Sequence, residues 1–424
     1  MTRPRFRAHA LGAGAAMVGL YALISATVPD IAAGAQPNPA SSSSWPGLWG
    51  PSRTGAVQQM AAGAAKELWR RSTSGGYSEM AAVGSRVVTL ELRDGEDFVV
   101  ALDAASGREL WSTRIGPTYR GHGGSDDGPI ATPMIDGDDV FATGPHGQLL
   151  ALDAATGKER WRHDLVQEFG ASVPQWGFGS SPLVHGQLVI VPTGGAKSRG
   201  LLAFNRDTGR LEWNAPHMTT PAYSSAVPAV IGGTSQIVVA AGDRTFAVSP
   251  RDGMLLWSAP GPGGSVEVAN SPIILPDDRV LLTYWQEAAM VTITRKDGAL
   301  AASELWRSTT PRGSNGPTIF RDGFLYGFAG PQIVCVDAAT GQVRWRERTG
   351  EGTLVGAGSN LLFLGQTSGE LRVIRASPDG FAEVSRTRVF APDVRSVTGP
   401  SLADGRLYVR NLKEMAAFSI GARR

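Results

Sequence analysis

One phrase of eleven residues recurs along the chain, and it constrains the fold more than any other feature. It reads ALDAASGRELW at 101–111, ALDAATGKERW at 151–161, CVDAATGQVRW at 335–345 and, more loosely, AFNRDTGRLEW at 203–213. The final tryptophan also recurs where the rest of the phrase has diverged, at intervals of 39 to 52 residues. The seven copies end at Trp69, Trp111, Trp161, Trp213, Trp257, Trp306 and Trp345. A repeat of this length is typical of a propeller or a solenoid.

Each repeat predicts four short strands and no helix. In 180–213, apolar segments are separated by the turn residues HGQ and RDTG, and no helical period is present. The recurring phrase is the hairpin between the third and fourth strands, where Asp caps the turn and Gly takes a left-handed backbone. The tryptophan follows on the outer strand, where its ring can be buried between neighbouring sheets. We therefore interpret the phrase as structural.

The number of copies predicts an all-β fold with eight blades. A degenerate eighth copy at 373–390 has lost its tryptophan but keeps the spacing. Four-stranded antiparallel sheets repeated at this period predict a β-propeller. ELWRR at 67–71 is an outer strand without a preceding turn phrase, and MAAFSI at 415–420 is an inner strand without an outer partner. Pairing them completes the last blade from the N- and C-terminal strands and removes the exposed edges of an open array.

The N-terminal region predicts export. A basic start, MTRPRFR, precedes an apolar stretch rich in small residues, and Ala33-Gly34-Ala35 offers a cleavage site, so we predict a signal peptide over 1–35. An uncleaved anchor is the alternative, because the apolar run approaches the ~20 residues of a membrane span. We expect a linker or leader over 36–60, the propeller over 61–421, and a periplasmic or secreted protein. Within the leader, replacement of Trp45 is expected to cost little stability.

The phrase A-L-D-A-x-T-G-x-x-x-W resembles the repeat of the PQQ-like, or quinoprotein-type, eight-bladed propellers, over about 45–420. Three stretches are similar to uncharacterised secreted bacterial members: WPGLWGPSRTG (45–55), TYRGHGGSDDGPIATP (118–133) and EFGASVPQWGFGSSP (168–182). The family includes quinone-dependent alcohol dehydrogenases and also the assembly factor BamB, which carries no cofactor. The resemblance therefore implies either a binding scaffold or a dehydrogenase that uses PQQ with Ca²⁺.

Charge and cysteine content narrow these alternatives. The formal net charge of +2 comes from the first 35 residues, so the rest of the chain lacks the basic surface of a nucleic-acid-binding protein. Cys335 is the only cysteine, so no disulfide can form within the chain. Many alcohol-oxidising quinoproteins carry a disulfide of adjacent cysteines over the cofactor, which this sequence does not allow. The six histidines are dispersed without an H-E-x-x-H motif and give no support to a zinc hydrolase.

Candidate site residues are expected on the loops between blades, because the side chains of the strands pack within and between the blades. The longest loops are 112–130 and 162–179, and convergence at one mouth would combine carboxylates, guanidinium groups and an aromatic ring. Such a set can bind Ca²⁺ or hold an acidic ligand. The alternative for each residue is an ordinary rim charge or a packed side chain. The catalytic candidates are Asp126, Asp127 and Glu267; the cofactor-binding candidates are Trp176, Asn270, Arg312, Asn315, Arg395, Arg120 and His122; the metal candidates are Glu267 and Asn270.

Three functions remain open from the sequence. The leading hypothesis is an extracytoplasmic scaffold that binds a ligand or a protein at the channel mouth, as a monomer, without a cofactor, nucleic acid or lasting membrane span. The alternative is a small alcohol or sugar dehydrogenase that uses PQQ with Ca²⁺. The third is a carbohydrate-processing enzyme with paired carboxylates, which requires a separation that sequence does not specify.

Overall fold

Eight sheets form the blades of a β-propeller; seven have four strands, and the eighth has four blade strands with a short fifth strand added at its edge. The computed structural model describes residues 44–57, 65–121, 125–194, 200–217, 223–261 and 270–420. The predicted signal peptide lies outside these ranges. Among the described residues, no helix has both the length and the apolar character needed to cross a bilayer. The prediction of an all-β, eight-bladed propeller is confirmed.

The strands follow the chain from the channel outwards in each of the first six blades. Two strands precede these blades, β1 (Ala56–Val57) and β2 (Ala65–Ser72). Blade 1 has β3 (Ala81–Val83), β4 (Arg86–Arg93), β5 (Glu96–Asp103) and β6 (Glu109–Pro117); blade 2 has β7 (Met134–Asp136), β8 (Asp139–Thr143), β9 (Gln148–Asp153) and β10 (Glu159–Asp164), followed by helix α1 (Leu165–Phe169). Blade 3 has β11 (Leu183–His185), β12 (Leu188–Pro192), β13 (Leu201–Asn205) and β14 (Leu211–Ala215); blade 4 has β15 (Val227–Ile231), β16 (Thr234–Ala240), β17 (Arg244–Val248) and β18 (Leu255–Pro260).

Blades 5 and 6 follow the regular order, whereas blades 7 and 8 also take strands from the N-terminal region. Blade 5 has β19 (Ile273–Leu275), β20 (Arg279–Thr283), β21 (Ala288–Lys296) and β22 (Ala299–Ser308); blade 6 has β23 (Ile319–Arg321), β24 (Phe324–Phe328), β25 (Gln332–Asp337) and β26 (Val343–Arg348). Blade 7 has β27 (Gly352–Ala357), β28 (Asn360–Gly365), β29 (Glu370–Arg375) and β30 (Glu383–Arg388), and β1 adds to it in parallel beside β27. Blade 8 has β31 (Ser401–Ala403), β32 (Arg406–Arg410) and β33 (Glu414–Ile420), with β2 as its outer strand.

Blade 8 closes the ring as the sequence predicts. Strand β2 runs antiparallel to β33, with Trp69 opposite Ala417. Arg410 on β32 extends this junction into blade 1, since its guanidinium donates to the carbonyl oxygens of Ser78 (3.0 Å) and Leu90 (2.9 Å). Arg410 is 1 % exposed, and burial lowers its pKa to about 10. The first and last blades are therefore joined by strand pairing and by a buried side chain.

The recurring phrase builds the contact between successive blades. In blade 2, the Asp153 carboxylate accepts hydrogen bonds from the Thr156 backbone (2.9 Å) and hydroxyl (2.8 Å), and these bonds hold its pKa below the ordinary value. Trp111 of blade 1 donates its indole N–H to the Ala154 carbonyl of this turn (3.0 Å). The ring lies against Gly157 (φ 72°), where a Cβ would lie only 2.5 Å away. Gly is thus required by both the backbone and the neighbouring tryptophan.

Six of the seven tryptophans bond to the turn of the following blade in this way. Besides Trp111, these are Trp69, Trp161, Trp213, Trp306 and Trp345, whose indole N–H groups reach the carbonyls of Ala104, Arg206, Pro250, Ala338 and Ser377. Trp257 instead donates to Gln236 within its own blade. The eleven-residue phrase therefore encodes a turn and the surface on which the preceding blade rests.

Residues 44–57, named the channel segment from here on, cross the propeller between inner strands. Trp45 exchanges two backbone hydrogen bonds with Ala82 of blade 1 (2.8 and 2.7 Å). At the other end, the Gly55 carbonyl accepts from Gly356 of blade 7 (2.8 Å), where β1 begins. Between them, Arg53 reaches backbone carbonyls leading into blades 3 and 4. Contacts on several sides of the ring place this segment across the central channel.

The burial of Trp45 corrects the expectation that replacing it costs little. Its side chain is 0 % exposed and belongs to the core formed by blades 1, 7 and 8. We expect Trp45→Ala to lower the free energy of unfolding by ~3–5 kcal/mol, because it removes a buried aromatic ring and leaves a cavity. Urea denaturation measures this loss. Trp285→Ala, at a position that is 65 % exposed, is the control and should unfold like the wild type; equal losses for both variants would contradict the prediction.

Candidate functional site

A cavity of about 610 Å³ opens at one end of the channel. Its walls come mainly from the segments that lead into the inner strands of successive blades, and the channel segment forms part of its lining. Six aromatic side chains line it: Trp49, Tyr77, Tyr119, Trp176, Tyr223 and Trp285. The charged residues of the lining are Glu79, Asp126 and Arg395. An apolar, concave wall with a few polar groups is the usual form of a small-molecule site.

Glu79 joins the cavity to the channel segment. Its carboxylate accepts hydrogen bonds from the backbone N–H groups of Trp49 (3.3 Å) and Gly399 (3.2 Å). The residue is 4 % exposed, and burial raises its pKa to about 7 in spite of these bonds. Because the folded protein holds this proton more tightly than an exposed glutamate does, stability falls as pH rises from about 4.5 to about 7. Near neutral pH the group is therefore partly protonated.

Asp126 and Arg395 form an ion pair in the cavity lining. Nη1 of Arg395 lies 3.0 Å from Oδ2 of Asp126, and the two side chains are 39 % and 41 % exposed. The Tyr77 hydroxyl donates to the same carboxylate oxygen (2.9 Å) and accepts from the Asp126 backbone N–H (2.6 Å). Loops that enter blades 2 and 8 are thereby fixed to each other through Tyr77 of blade 1. The two charges therefore compensate each other, and both side chains remain accessible to solvent.

Three of the six aromatic lining residues, Trp176, Tyr223 and Trp285, belong to blades 3, 4 and 5 or to the loops that lead into them. The rings of Trp176 and Tyr223 lie 5.6 Å apart at an interplanar angle of 47°. The Tyr223 hydroxyl accepts from the Trp176 backbone N–H (2.8 Å), and Tyr119 donates to the Gln175 carbonyl (2.6 Å). Trp285 lies between β20 and β21 and is 65 % exposed. Hydrogen bonds therefore hold Trp176 in place, while Trp285 presents its ring to solvent at the cavity.

The structure brings four of the predicted site residues into the lining of this cavity. They are Asp126, Trp176, Asn315 and Arg395. His122 and Glu267 lie outside the described residues. The catalytic set of Asp126, Asp127 and Glu267 therefore has a single member that the structure places at the cavity.

The other predicted residues lie beside the cavity without lining it. The Asp127 carboxylate forms an ion pair with Arg120 (2.8 Å) and accepts a hydrogen bond from the Gly121 backbone N–H. Its charge is therefore compensated by a neighbouring residue. Asn270 is 3 % exposed, and its amide donates to Gly316 (2.8 Å) and accepts from Ser314 (3.0 Å). Arg312 forms a backbone bridge with Phe328 of blade 6. The polar groups of Asp127 and Asn270 therefore have partners within the protein and require no bound ligand.

Sequence reasoning missed several residues of the lining. Glu79 stands in GGYSEMAAV, two residues before the inner strand β3, and a charged residue so close to an apolar strand is a signal that the sequence offers. Trp49 belongs to the segment interpreted as a leader, and Trp285 lies in a hairpin turn rather than in a loop between blades. The six aromatic residues are far apart in sequence, so only the ring arrangement reveals them as one set.

The described residues do not fit PQQ held by Ca²⁺. PQQ is a planar tricarboxylate, whereas Arg395 is the single cationic residue in the described cavity lining and is already paired with Asp126. Within the described ranges, no group of three or more histidine, cysteine, aspartate or glutamate residues could hold a metal ion. The side-chain amide of Asn270, the predicted metal ligand, already forms hydrogen bonds to backbone groups through both its nitrogen and its oxygen.

Comparison with curated proteins shows partial similarity to quinoprotein dehydrogenases. Quinoprotein alcohol dehydrogenase PedH of Pseudomonas putida is 31 % identical over 164 residues, which cover 36 % of this chain and 25 % of PedH. Quinohemoprotein alcohol dehydrogenase ADH IIB of Pseudomonas putida is 36 % identical over 121 residues, covering 27 % of this chain and 17 % of that protein. The chain thus matches a quarter or less of the length of these relatives.

Solved structures share the fold at low sequence identity. BamB from Moraxella catarrhalis superposes with a TM-score of 0.61 at 16 % identity, covering 84 % of this chain and 100 % of that one. A europium-containing methanol dehydrogenase gives a TM-score of 0.52 at 12 % identity, covering 90 % and 99 % of the two chains. The family model described as "Outer membrane protein assembly factor BamB" matches residues 95–347 and 299–421. With its repeat, its blades and this match in agreement, the chain belongs to the PQQ-like, BamB-type β-propeller family.

Proposed function

We propose that the protein is an extracytoplasmic binding propeller that takes a small organic ligand into the cavity at its channel mouth. The observation that carries this proposal is the aromatic lining of a cavity of about 610 Å³, including a tryptophan that is 65 % exposed. This volume lies within the ~300–1,000 Å³ of ordinary ligand sites. Exposure of a large aromatic ring at such a site is costly in water and is offset when a ligand covers it.

Thermal shift with chemically distinct small molecules tests the binding function. A ligand of the folded state must raise the melting temperature by mass action. A compound that raises the melting temperature of the wild type should no longer do so in Trp285→Ala or Trp176→Ala, because each substitution removes an aromatic ring from the cavity lining. Met254→Ala is the matched control, because Met254 is 66 % exposed on the turn between β17 and β18 and does not line the cavity. A compound that raises the melting temperature equally in all variants would bind elsewhere and contradict the proposal.

The alternative of a quinoprotein dehydrogenase has its own test. We expect PQQ with saturating Ca²⁺ to leave the melting temperature unchanged, because the described cavity lacks compensating cations for three carboxylates. Dye reduction with alcohols or aldoses should likewise stay at background. A shift that grows with PQQ concentration and disappears with a chelator, and that is lost in Trp176→Ala, would establish the dehydrogenase instead.

Export is part of the proposal and concerns the N-terminal region. We expect cleavage after Ala35, which leaves Gln36 as the mature N-terminus and a protein in the periplasm or the medium. Intact-mass measurement on native material distinguishes this product from the full chain. A full-length species retained in the inner membrane would support the anchor and contradict cleavage.

A further inference from the structure

The geometry of the cavity points to an uncharged carbohydrate as its ligand, and this inference rests on the proposed function. We propose that sugar rings stack on the partly buried Trp176 and the exposed Trp285, which both line the cavity. Their hydroxyl groups bond to the Asp126–Arg395 pair and to the Asn315 amide. A pyranose has apolar C–H faces and a polar edge, so it requires flat apolar rings beside groups that both donate and accept hydrogen bonds.

The charges of the lining favour a neutral ligand over an ionic one. Asp126 and Arg395 compensate each other at 3.0 Å, so the accessible wall, as far as the structure describes it, carries no excess of either sign. Glu79 lies 4 % exposed behind backbone hydrogen bonds, which keeps its carboxyl from serving as a surface counter-charge. In the described part of the lining, a polyanion would meet one cation that is already paired, and an organic cation would meet one accessible carboxylate that is already paired. Either ion would lose its hydration without a free partner.

The polar groups of the wall suit hydroxyls particularly well. The Asp126 carboxylate can accept from sugar O–H groups, the Arg395 guanidinium can donate to sugar oxygens, and the Asn315 amide can do both. Asn315 is exposed at the lining, and Asp126 is held in place by Tyr77. Fixed polar groups next to rigid aromatic rings reduce the entropy lost on binding. The volume of about 610 Å³ leaves room for more than one sugar ring.

Isothermal titration calorimetry on the mature protein tests the ligand class. The neutral probes are maltotriose, cellotriose and N,N′-diacetylchitobiose; digalacturonate, choline and PQQ represent anionic, cationic and planar acidic ligands. We expect stoichiometric binding of at least one neutral probe, with an affinity unchanged between about 0.05 and 0.5 M NaCl, since no net charge is neutralised. Trp285→Ala should weaken this binding at least tenfold and Asp126→Asn should also weaken it, whereas Met254→Ala should leave it unchanged.

The outcomes separate the ligand class from the binding function. If no neutral probe binds, or if its binding is insensitive to Trp285→Ala, the carbohydrate inference is overturned. If choline, digalacturonate or PQQ binds instead and depends on Trp285, the cavity remains a binding site but its ligand is ionic. If no probe of any class depends on the cavity residues, the proposed function fails as well. Trp285→Phe should retain more affinity than Trp285→Ala, because a smaller stacking face remains.

Discussion

Removal of residues 415–424 should convert the protein into aggregates or into a species with a much lower melting temperature. Strand β33 lies between β2 and β32, so its loss leaves both neighbours with unpaired edges. It also removes Met415, Ala416 and Ala417 from the core, where each is 0 % exposed. Size-exclusion chromatography and thermal unfolding followed by circular dichroism measure the effect.

The matched control removes only residues 421–424, which follow β33 and leave every strand of blade 8 intact. This shorter deletion should remain monodisperse with the melting temperature of the full chain. A 415–424 deletion that behaves in the same way would contradict closure of the ring by the terminal strands.

Replacement of Arg53 should destabilise the protein about as strongly as replacement of Trp45 in the same channel segment. The side chain is 3 % exposed and donates to the carbonyl oxygens of Ala226 (3.0 Å), Ser181 (3.4 Å) and Pro182. Burial lowers its pKa to about 10, so it remains protonated at neutral pH. Arg53→Ala leaves these buried carbonyls without their donor and creates a cavity, which should cost ~3–5 kcal/mol of unfolding free energy.

Arg53→Lys separates charge from geometry in the same denaturation experiment. Lysine keeps the positive charge, but it has no planar fork with which to reach two blades at once. We therefore expect it to recover only part of the lost stability, and Arg244→Ala, at an exposed arginine, to cost little. If Arg53→Ala lowers the free energy of unfolding by less than about 1 kcal/mol, the hydrogen bonds of the guanidinium do not stabilise the channel segment as proposed.

The blades could be predicted from the sequence because their determinants are local. The Asp-capped turn, the glycine and the tryptophan lie within eleven residues, and six of the seven tryptophans make the same contact with the next blade. The channel segment carries no such repeat. Its Pro- and Gly-rich sequence is typical of a linker, and the partners that bury Arg53 lie more than a hundred residues away.

The cavity could be predicted only as a set of loops. Asp126 and Asp127 are adjacent in sequence, yet Asp126 lines the cavity and Asp127 pairs with Arg120 beside it. Asn315 likewise reaches the lining, whereas Arg312 does not. Side-chain direction in an irregular loop depends on long-range contacts, such as the bond of Tyr77 to Asp126, that have no local signature.

Ring closure also determines when the molecule can finish folding. The hairpins within blades 1 to 6 connect neighbours in sequence and can form early, whereas β2 must wait for β33, and β1 for β27. Two of the first strands to be synthesised thus depend on strands near the C-terminus, and the entropy of closing such a long loop opposes their pairing. We therefore expect the pairing of β2 with β33 to come late in folding, and until then the edges of the open ring are exposed to other chains.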